Sequence, residues 1–240
     1  MHELLTVENL IALLTLTSLE IVLGIDNIVF IAILTGKVEP ARRAMVRTVG
    51  MGLAMGMRIL LLLGLKWIMQ LTEPLFSVLQ HGVSGRDLIL LLGGLFLLAK
   101  ATYEIHDKLE GHGHEHGPAR AHVSVPAILA QIIAIDLVFS LDSVITAVGM
   151  AQEVSIMIIA VVIAVLVMML FAGSVSTFVE RHPTIKMLAL SFLLMIGVML
   201  VAEGLGRHIE RGYVYFAMAF SLFVEILNIR STRKQVAGAP

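Results

Sequence analysis

Two acidic residues six positions apart occur twice in this chain, each time inside an otherwise apolar stretch. The first copy is Glu20-x5-Asp26, and the second, 116 positions later, is Asp136-x5-Asp142. Aligned, the copies match in residue class over ten consecutive positions. A carboxylate in hydrocarbon is costly and usually faces a bundle interior or a wet cavity, where it handles ions or protons. These four acids are therefore the candidate functional site.

A small polar residue follows the second acid in each copy, Asn27 in the first and Ser143 in the second. Carboxylate, amide and hydroxyl oxygens are ligands that suit magnesium, calcium and manganese. The chain has no cysteine, which excludes thiolate metal sites, thiol catalysis and disulfides. Most of the 14 methionines lie among leucines and indicate membrane packing rather than ligation of a soft metal.

The spacing of the acids leaves two geometries open. On a regular helix, residues six positions apart lie about 120° from each other and do not share a face. Gly24 and its counterpart Ser140 stand between the acids, where a local opening of the helix would bring both acids to one ion. Alternatively, each unbroken helix directs one acid to a central site and the other acid to a different partner.

The composition is that of a membrane protein. Of the 240 residues, 58% are hydrophobic and 15% are charged, whereas soluble domains have roughly half and a quarter. The net charge of −1 argues neither for nor against nucleic acid as a partner, but the sequence has no basic stripe or aromatic-basic patch that would indicate a nucleic-acid surface. We expect a single membrane domain over residues 1–240, in contact with the lipid bilayer and without a permanently bound cofactor. A homo-oligomer stays an open alternative.

Seven stretches are long and apolar enough to span a bilayer. We predict an all-α polytopic fold with seven transmembrane helices, at about residues 8–35, 44–69, 87–106, 125–150, 154–179, 185–205 and 212–229. In this topology, eleven basic residues lie on the same side of the membrane as the C-terminus, and four lie on the opposite side. The positive-inside tendency therefore predicts an outer N-terminus and a cytoplasmic C-terminus, with a disordered tail over residues 231–240.

The duplicated motif predicts an inverted repeat. Three helices within residues 8–106 form the first unit and three within residues 125–205 form the second. The odd number of helices per unit turns the second unit upside down. This 3+3 arrangement, with the seventh helix as an addition, is a transporter architecture whose site lies where the halves meet.

Further charged side chains lie inside the predicted helices. Arg58 and Lys100 are expected counter-ions, with an anion gate as the alternative role for Arg58. Lys100 also stands four residues before Glu104, the spacing of an ion pair along one helix. The remaining internal polar residues are Glu203, Glu225 and Asn228. At the deep positions six acids face two bases, and the excess of four carboxylates predicts a cation site, a proton relay or both.

The polar connection at about residues 107–124 contains His112, His114 and His116. Imidazole suits zinc, copper and nickel, but the interspersed glycines encode no fixed geometry. A solvated cytoplasmic linker and weak metal capture both stay open.

The acid motifs resemble those of the TerC family of bacterial integral membrane proteins. The resemblance rests on Glu20-x5-Asp26-Asn27-Ile-Val-Phe, the Gly-Gly run ending at Lys100 with Glu104, Asp136-x5-Asp142-Ser143, Glu203, and Phe-Val-Glu225-x2-Asn228. It implies a seven-helix protein of the bacterial cytoplasmic membrane, in a family named for tellurium resistance, several members of which are linked to manganese efflux and metal homeostasis. By position it implies metal ligands at Asp26, Asn27, Asp136, Asp142 and Ser143, with Glu20, Glu203 and Glu225 as coordinating or proton-handling neighbours.

We expect a transporter rather than an enzyme, exporting a divalent cation, with manganese preferred and protons as the exchanged ion. One alternative is a non-transporting scaffold that docks metal- or tellurium-resistance partners at the membrane. The other is an intramembrane aspartyl-type hydrolase in which Asp26 and Asp142 share a proton. A pair of acids does not account for a repeat that contains four.

Overall fold

Seven long helices and one short helix make up almost all of the structure. A computed structural model describes residues 6–78, 81–110, 123–148, 153–207 and 209–237. In chain order the elements are α1 (Val7–Thr35), α2 (Pro40–Leu63), α3 (Leu65–Gln70), β1 (Pro74–Val78), β2 (His81–Ser84), α4 (Gly85–Glu110), α5 (Val125–Val148), α6 (Val154–Arg181), α7 (Pro183–Gly204) and α8 (Arg211–Ala237). The seven long helices are each apolar enough to cross a bilayer. The prediction of an all-α, seven-helix membrane fold is confirmed.

The helix starts follow local signals in the sequence. The hydroxyl of Thr6 accepts the backbone N–H of Asn9 at 3.2 Å and caps α1. A proline occupies the first position of both α2 and α7, where no intrahelical N–H bond is lost. Before α4, the backbone N–H and the hydroxyl of Ser84 both donate to the Asp87 carboxylate, at 2.9 and 2.8 Å. These four helices therefore begin at local signals that the sequence contains.

Two helix ends differ from the sequence prediction. The second helix stops at Leu63, not near residue 69, because Gly64 has low helix propensity and caps it. The short α3 and the antiparallel β1–β2 hairpin then lead to α4. At the other end of the chain, α8 continues to Ala237, through most of the stretch for which we predicted disorder. Residues 230–237 contain arginine, lysine and glutamine, which favour helix, and no glycine or proline interrupts them.

Three helix pairs form the most extensive contacts: α1 with α6, α4 with α7, and α2 with α5. Glycines allow close approach at these contacts. A Cβ atom added at Gly94 of α4 would lie 2.8 Å from the carbonyl oxygen of Gly197 in α7. A Cβ added at Gly24 of α1 would lie 2.2 Å from the Sδ atom of Met168 in α6. The helices therefore pack with backbone close to neighbouring atoms.

The outer surface of the helices carries large apolar side chains. Leu170 on α6 is 79% exposed, and Phe216 on α8 is 72% exposed. Because such surfaces are unfavourable in water, they indicate contact with the lipid bilayer. Most buried polar side chains lie on the long helices, where neighbouring helices exclude lipid. The 3+3 inverted repeat stays a prediction.

Candidate cation site

Helices α1 and α5 position the two acid motifs. Glu20 lies near the middle of α1, and Asp136 lies near the middle of α5. Both helices are assigned as continuous through Gly24 and Ser140, so the structure contains no helix opening at either position. On unbroken helices the first and second acids of each copy lie about 120° apart. The local helix opening of the first geometry is therefore not present at Gly24 or Ser140.

Arg58 joins the first acids of the two copies. Its Nη2 and Nε atoms donate to Oδ1 of Asp136 at 3.0 and 3.2 Å, and its Nη1 atom donates to Oε2 of Glu20. The Arg58 side chain is 3% exposed, and the side chains of Glu20 and Asp136 are 7% and 8% exposed. One guanidinium on α2 therefore bridges acids that the sequence places 116 residues apart.

Two serines of α5 lie next to Asp136, and one of them forms a hydrogen bond to its carboxylate. The hydroxyl of Ser140 donates to Oδ2 of Asp136 at 2.9 Å. The hydroxyl of Ser143 donates to the carbonyl oxygen of Ser140 at 3.3 Å. Both serines are buried. Ser140 thus orients the acid of its own motif, whereas its counterpart Gly24 provides space for Met168.

The charge of this cluster is not balanced among the described side chains. Two carboxylates, of Glu20 and Asp136, contact one guanidinium, that of Arg58. Removing a charge from water costs several kcal/mol per ion, so an excess negative charge favours a further cation or a proton. The centre of the bundle is therefore suited to a cation.

Three cavities meet at Arg58. The first cavity is also bordered by Asn27, Ser143, Arg211 and Tyr215. The second is bordered by Asn27, Asp136, Met51, Met55 and Met168. The third is bordered by Glu20, Ser143 and Met157. The four described residues of the predicted metal set, Glu20, Asn27, Asp136 and Ser143, therefore all border space around this arginine. Their oxygen atoms are of the kind that hard divalent cations prefer.

Glu104 forms a second buried ion cluster, near the end of α4. Its Oε1 atom contacts the ammonium groups of Lys100, at 2.9 Å, and of Lys37 in the α1–α2 connection. The Glu104 side chain is 5% exposed, and the lysines are partly exposed. Lys100 therefore serves Glu104 and not the central acids. At the same end of the bundle, Arg43 of α2 pairs with Glu180 of α6.

Glu203 forms a third cluster, at the opposite end. Its Oε2 atom lies 3.5 Å from Nη2 of Arg211 and 3.7 Å from Nη2 of Arg86. Both carboxylate oxygens are buried and accept no hydrogen bond from the described residues. The predicted excess of four carboxylates included Glu203 among the acids and neither arginine among the bases. That count was too high, because interfacial arginines reach inward.

The proximity of Arg211 to Glu203 could have been expected from the sequence, since the two residues are only eight positions apart across a short connection. Arg86 carries no such signal, because it is brought to Glu203 by the packing of α4 against α7.

The other predicted residues either do not border the cavities around Arg58 or lie outside the residues that the structure describes. Glu225 of α8 is half-buried, and its Oε1 atom has no hydrogen-bond partner among the described residues. Asn228 is exposed. The side chains of Asp26 and Asp142 and the histidines His112, His114 and His116 lie outside the described residues. Within the described part, no group of three or more histidine, aspartate or glutamate side chains is placed to hold a metal.

These features define a polytopic α-helical membrane protein with charged side chains buried at its centre and at each end. A family model described as "Integral membrane protein TerC family" matches residues 5–236. The chain therefore belongs to the TerC family, and the predicted resemblance is confirmed.

Three relatives share about half of their residues with the chain. A UPF0053 protein of Haemophilus influenzae is 53% identical over 226 residues, covering 94% of this chain and 95% of the relative. The UPF0053 inner membrane protein YgdQ of Escherichia coli (strain K12) is 51% identical, covering 93% and 94%. The inner membrane protein YoaE of the same strain is 52% identical over 90% of this chain, which spans only 42% of YoaE. No solved structure matches the chain.

Proposed function

We propose that the protein exports a divalent cation, with manganese preferred, through a site between its two acid motifs. The observation that carries this proposal is the meeting of Glu20 and Asp136, one from each motif, at a buried centre bordered by Asn27 and Ser143. Oxygen ligands and excess negative charge suit a hard cation. Manganese is the choice because the resemblance to metal-exporting members of the family points to it.

The pairing of the helices supports a transporter architecture. An inverted repeat would exchange α1 with α5, α2 with α6, and α4 with α7. This exchange converts the α1–α6 contact into the α5–α2 contact and leaves the α4–α7 contact unchanged. The three most extensive helix contacts are therefore those that such a repeat would produce, and transporters built from inverted repeats bind substrate near the midplane.

The proposed location is the bacterial inner membrane. The names of the relatives YoaE and YgdQ describe those two proteins as inner membrane proteins. In the proposed orientation, the end with Glu104 faces the cytoplasm and the end with Glu203 faces outward. The cavity that joins Arg58 to Arg211 would then lead from the centre toward the outer side. Buried carboxylates can also relay protons, so we propose proton exchange as the driving reaction.

A non-transporting scaffold is the second candidate, favoured by a different observation. Glu20, Asp136, Glu104 and Glu203 all contact basic side chains, as acids that serve only assembly would. Transport by the purified protein would exclude this role.

The test is manganese flux in sealed vesicles that contain the purified protein, with an imposed pH gradient. Asp26→Asn and Asp142→Asn each remove one motif charge, and we expect both to abolish flux. Glu39→Gln is the matched control, because its side chain is 56% exposed and its loss should leave flux unchanged. Flux that persists in both aspartate variants would contradict the proposal, and flux that ignores the pH gradient would exclude proton exchange.

A further inference from the structure

One arginine serves both copies of the acid motif. Arg58 lies on α2, and the helix that a repeat would match to α2 is α6, which has no charged residue between Glu153 and Glu180. The duplicated acids thus share a single, unduplicated base. Symmetric packing of the two units does not need this asymmetry. A base that contacts both acids can change the charge balance of both at once.

The guanidinium occupies the position between the two carboxylates that a shared cation would need. Three of its five N–H groups are directed at the acids, through Nε and Nη2 to Asp136 and through Nη1 to Glu20. A hard divalent cation binds carboxylate oxygens at about 2.0–2.6 Å. A cation shared by these carboxylates would occupy the position of the present guanidinium and repel its positive charge, so binding of one disfavours the other.

A small cavity lies beside the guanidinium, and a displaced guanidinium would enter it only if the side chains of its wall repack. Arg58 borders a cavity whose wall includes Met51, Met55 and Met168. Methionine side chains are flexible and polarizable, so they can repack around a displaced group. Asp136 keeps its hydrogen bond from Ser140 when the guanidinium leaves. The acid would therefore stay oriented for a cation while the arginine is displaced.

We propose that Arg58 is a tethered competitor of the transported cation. In the cation-free protein its guanidinium offsets one of the two negative charges of Glu20 and Asp136, and an arriving divalent cation displaces it. The inference rests on the proposed function and adds a role for one residue. Arg58 lowers the apparent affinity and, together with a proton taken up by the remaining negative charge, neutralises the two acids, which allows the cation-free protein to reorient through the membrane.

The experiment measures manganese binding to the purified protein in detergent, by calorimetry, for the wild type and Arg58→Gln. Apparent affinity scales with the fraction of molecules whose site is accessible, so if Arg58 occupies the acids in nine-tenths of molecules, its removal tightens binding about tenfold. We expect at least that change. Arg42→Gln is the control, because Arg42 lies on the same helix with a 63% exposed side chain, and it should leave the affinity unchanged.

A flux measurement separates this role from a structural one. In vesicles, Arg58→Gln should lose net manganese efflux, because a cation-free protein with unpaired acids cannot reorient, yet it should retain exchange of manganese for labelled manganese. Arg58→Lys keeps a charge but lacks the planar fork, so we expect intermediate affinity and partial net efflux. This variant also carries the test if Arg58→Gln does not fold.

The outcomes distinguish the two proposals. If the wild type transports manganese and Arg58→Gln and Arg58→Lys bind it no more tightly, the tethered competitor is overturned and the proposed function stands. If folded wild type and both variants neither bind nor transport manganese, the proposed function fails and the inference fails with it. Tighter binding with loss of net efflux but retained exchange supports both.

Discussion

Gly24→Ala tests whether the glycine within the first acid motif serves packing or helix opening. An added Cβ would lie 2.2 Å from Sδ and 3.0 Å from Cε of Met168, whereas unstrained contacts are about 3.5–4.0 Å. Met168 is 7% exposed, so neighbouring side chains limit its movement. Overpacking costs about 1–3 kcal/mol, and the gain in helix propensity returns about 0.5–1 kcal/mol. We expect a net loss of about 1 kcal/mol in the free energy of unfolding.

The second variant, Met168→Ala, removes the obstructing side chain. Alone it should cost about 2–5 kcal/mol as a large-to-small substitution. Combined with Gly24→Ala, the loss should be smaller than the sum by about 1–2 kcal/mol, because the new methyl group occupies vacated space. Reversible unfolding in mixed detergent micelles measures these free energies. Gly56→Ala is the control, since no atom lies within 4 Å of its added Cβ.

Manganese flux in vesicles gives the functional half of the same experiment. If Gly24 serves packing, Gly24→Ala should lower flux and the double variant should recover part of it. If Gly24→Ala abolishes flux at unchanged stability and Met168→Ala does not restore it, the packing explanation is refuted and a helix opening at Gly24 is favoured.

Two further substitutions follow from the structure. Gly94→Ala should lower the free energy of unfolding by about 1–3 kcal/mol. The added Cβ would lie 2.8 Å from the backbone oxygen of Gly197, which cannot rotate away. If this variant were as stable as the wild type in the same micelle assay, the α4–α7 contact would be contradicted. Replacing both Arg86 and Arg211 with glutamine should cost about 3 kcal/mol, since the buried Glu203 carboxylate would lose both contacting bases. Adding Glu203→Gln should restore most of that loss in thermal unfolding, and a triple variant no more stable than the double would show that the arginines act elsewhere.

The sequence alone explained the roles of only some of the glycine and proline residues. Gly64 ends α2 and a proline begins α2 and α7, which are local effects of backbone conformation. The role of Gly24 was not local. The sequence allowed an opening of the helix there, whereas the structure has a continuous helix with Met168 against the glycine.

The sequence by itself determined the class of fold and indicated two acids that lie in its interior, Glu20 and Asp136. Seven apolar stretches of bilayer length must form helices, because backbone polar groups in lipid have to be satisfied within the segment. A duplicated pair of acids in such stretches marks a shared interior site, and Glu20 and Asp136 do meet there. Both inferences depend on residue type and periodicity, which the sequence carries in full.

The tertiary structure decided which charges meet. Arg58 contacts acids 38 and 78 positions away, and Arg86 reaches Glu203 across the α4–α7 contact. Such pairs depend on the rotation of each helix about its axis and on the offset of one helix along another. The uniformly apolar faces of these helices encode neither quantity locally. Close packing at glycines such as Gly94 sets both, and it thereby determines which acids have a base beside them.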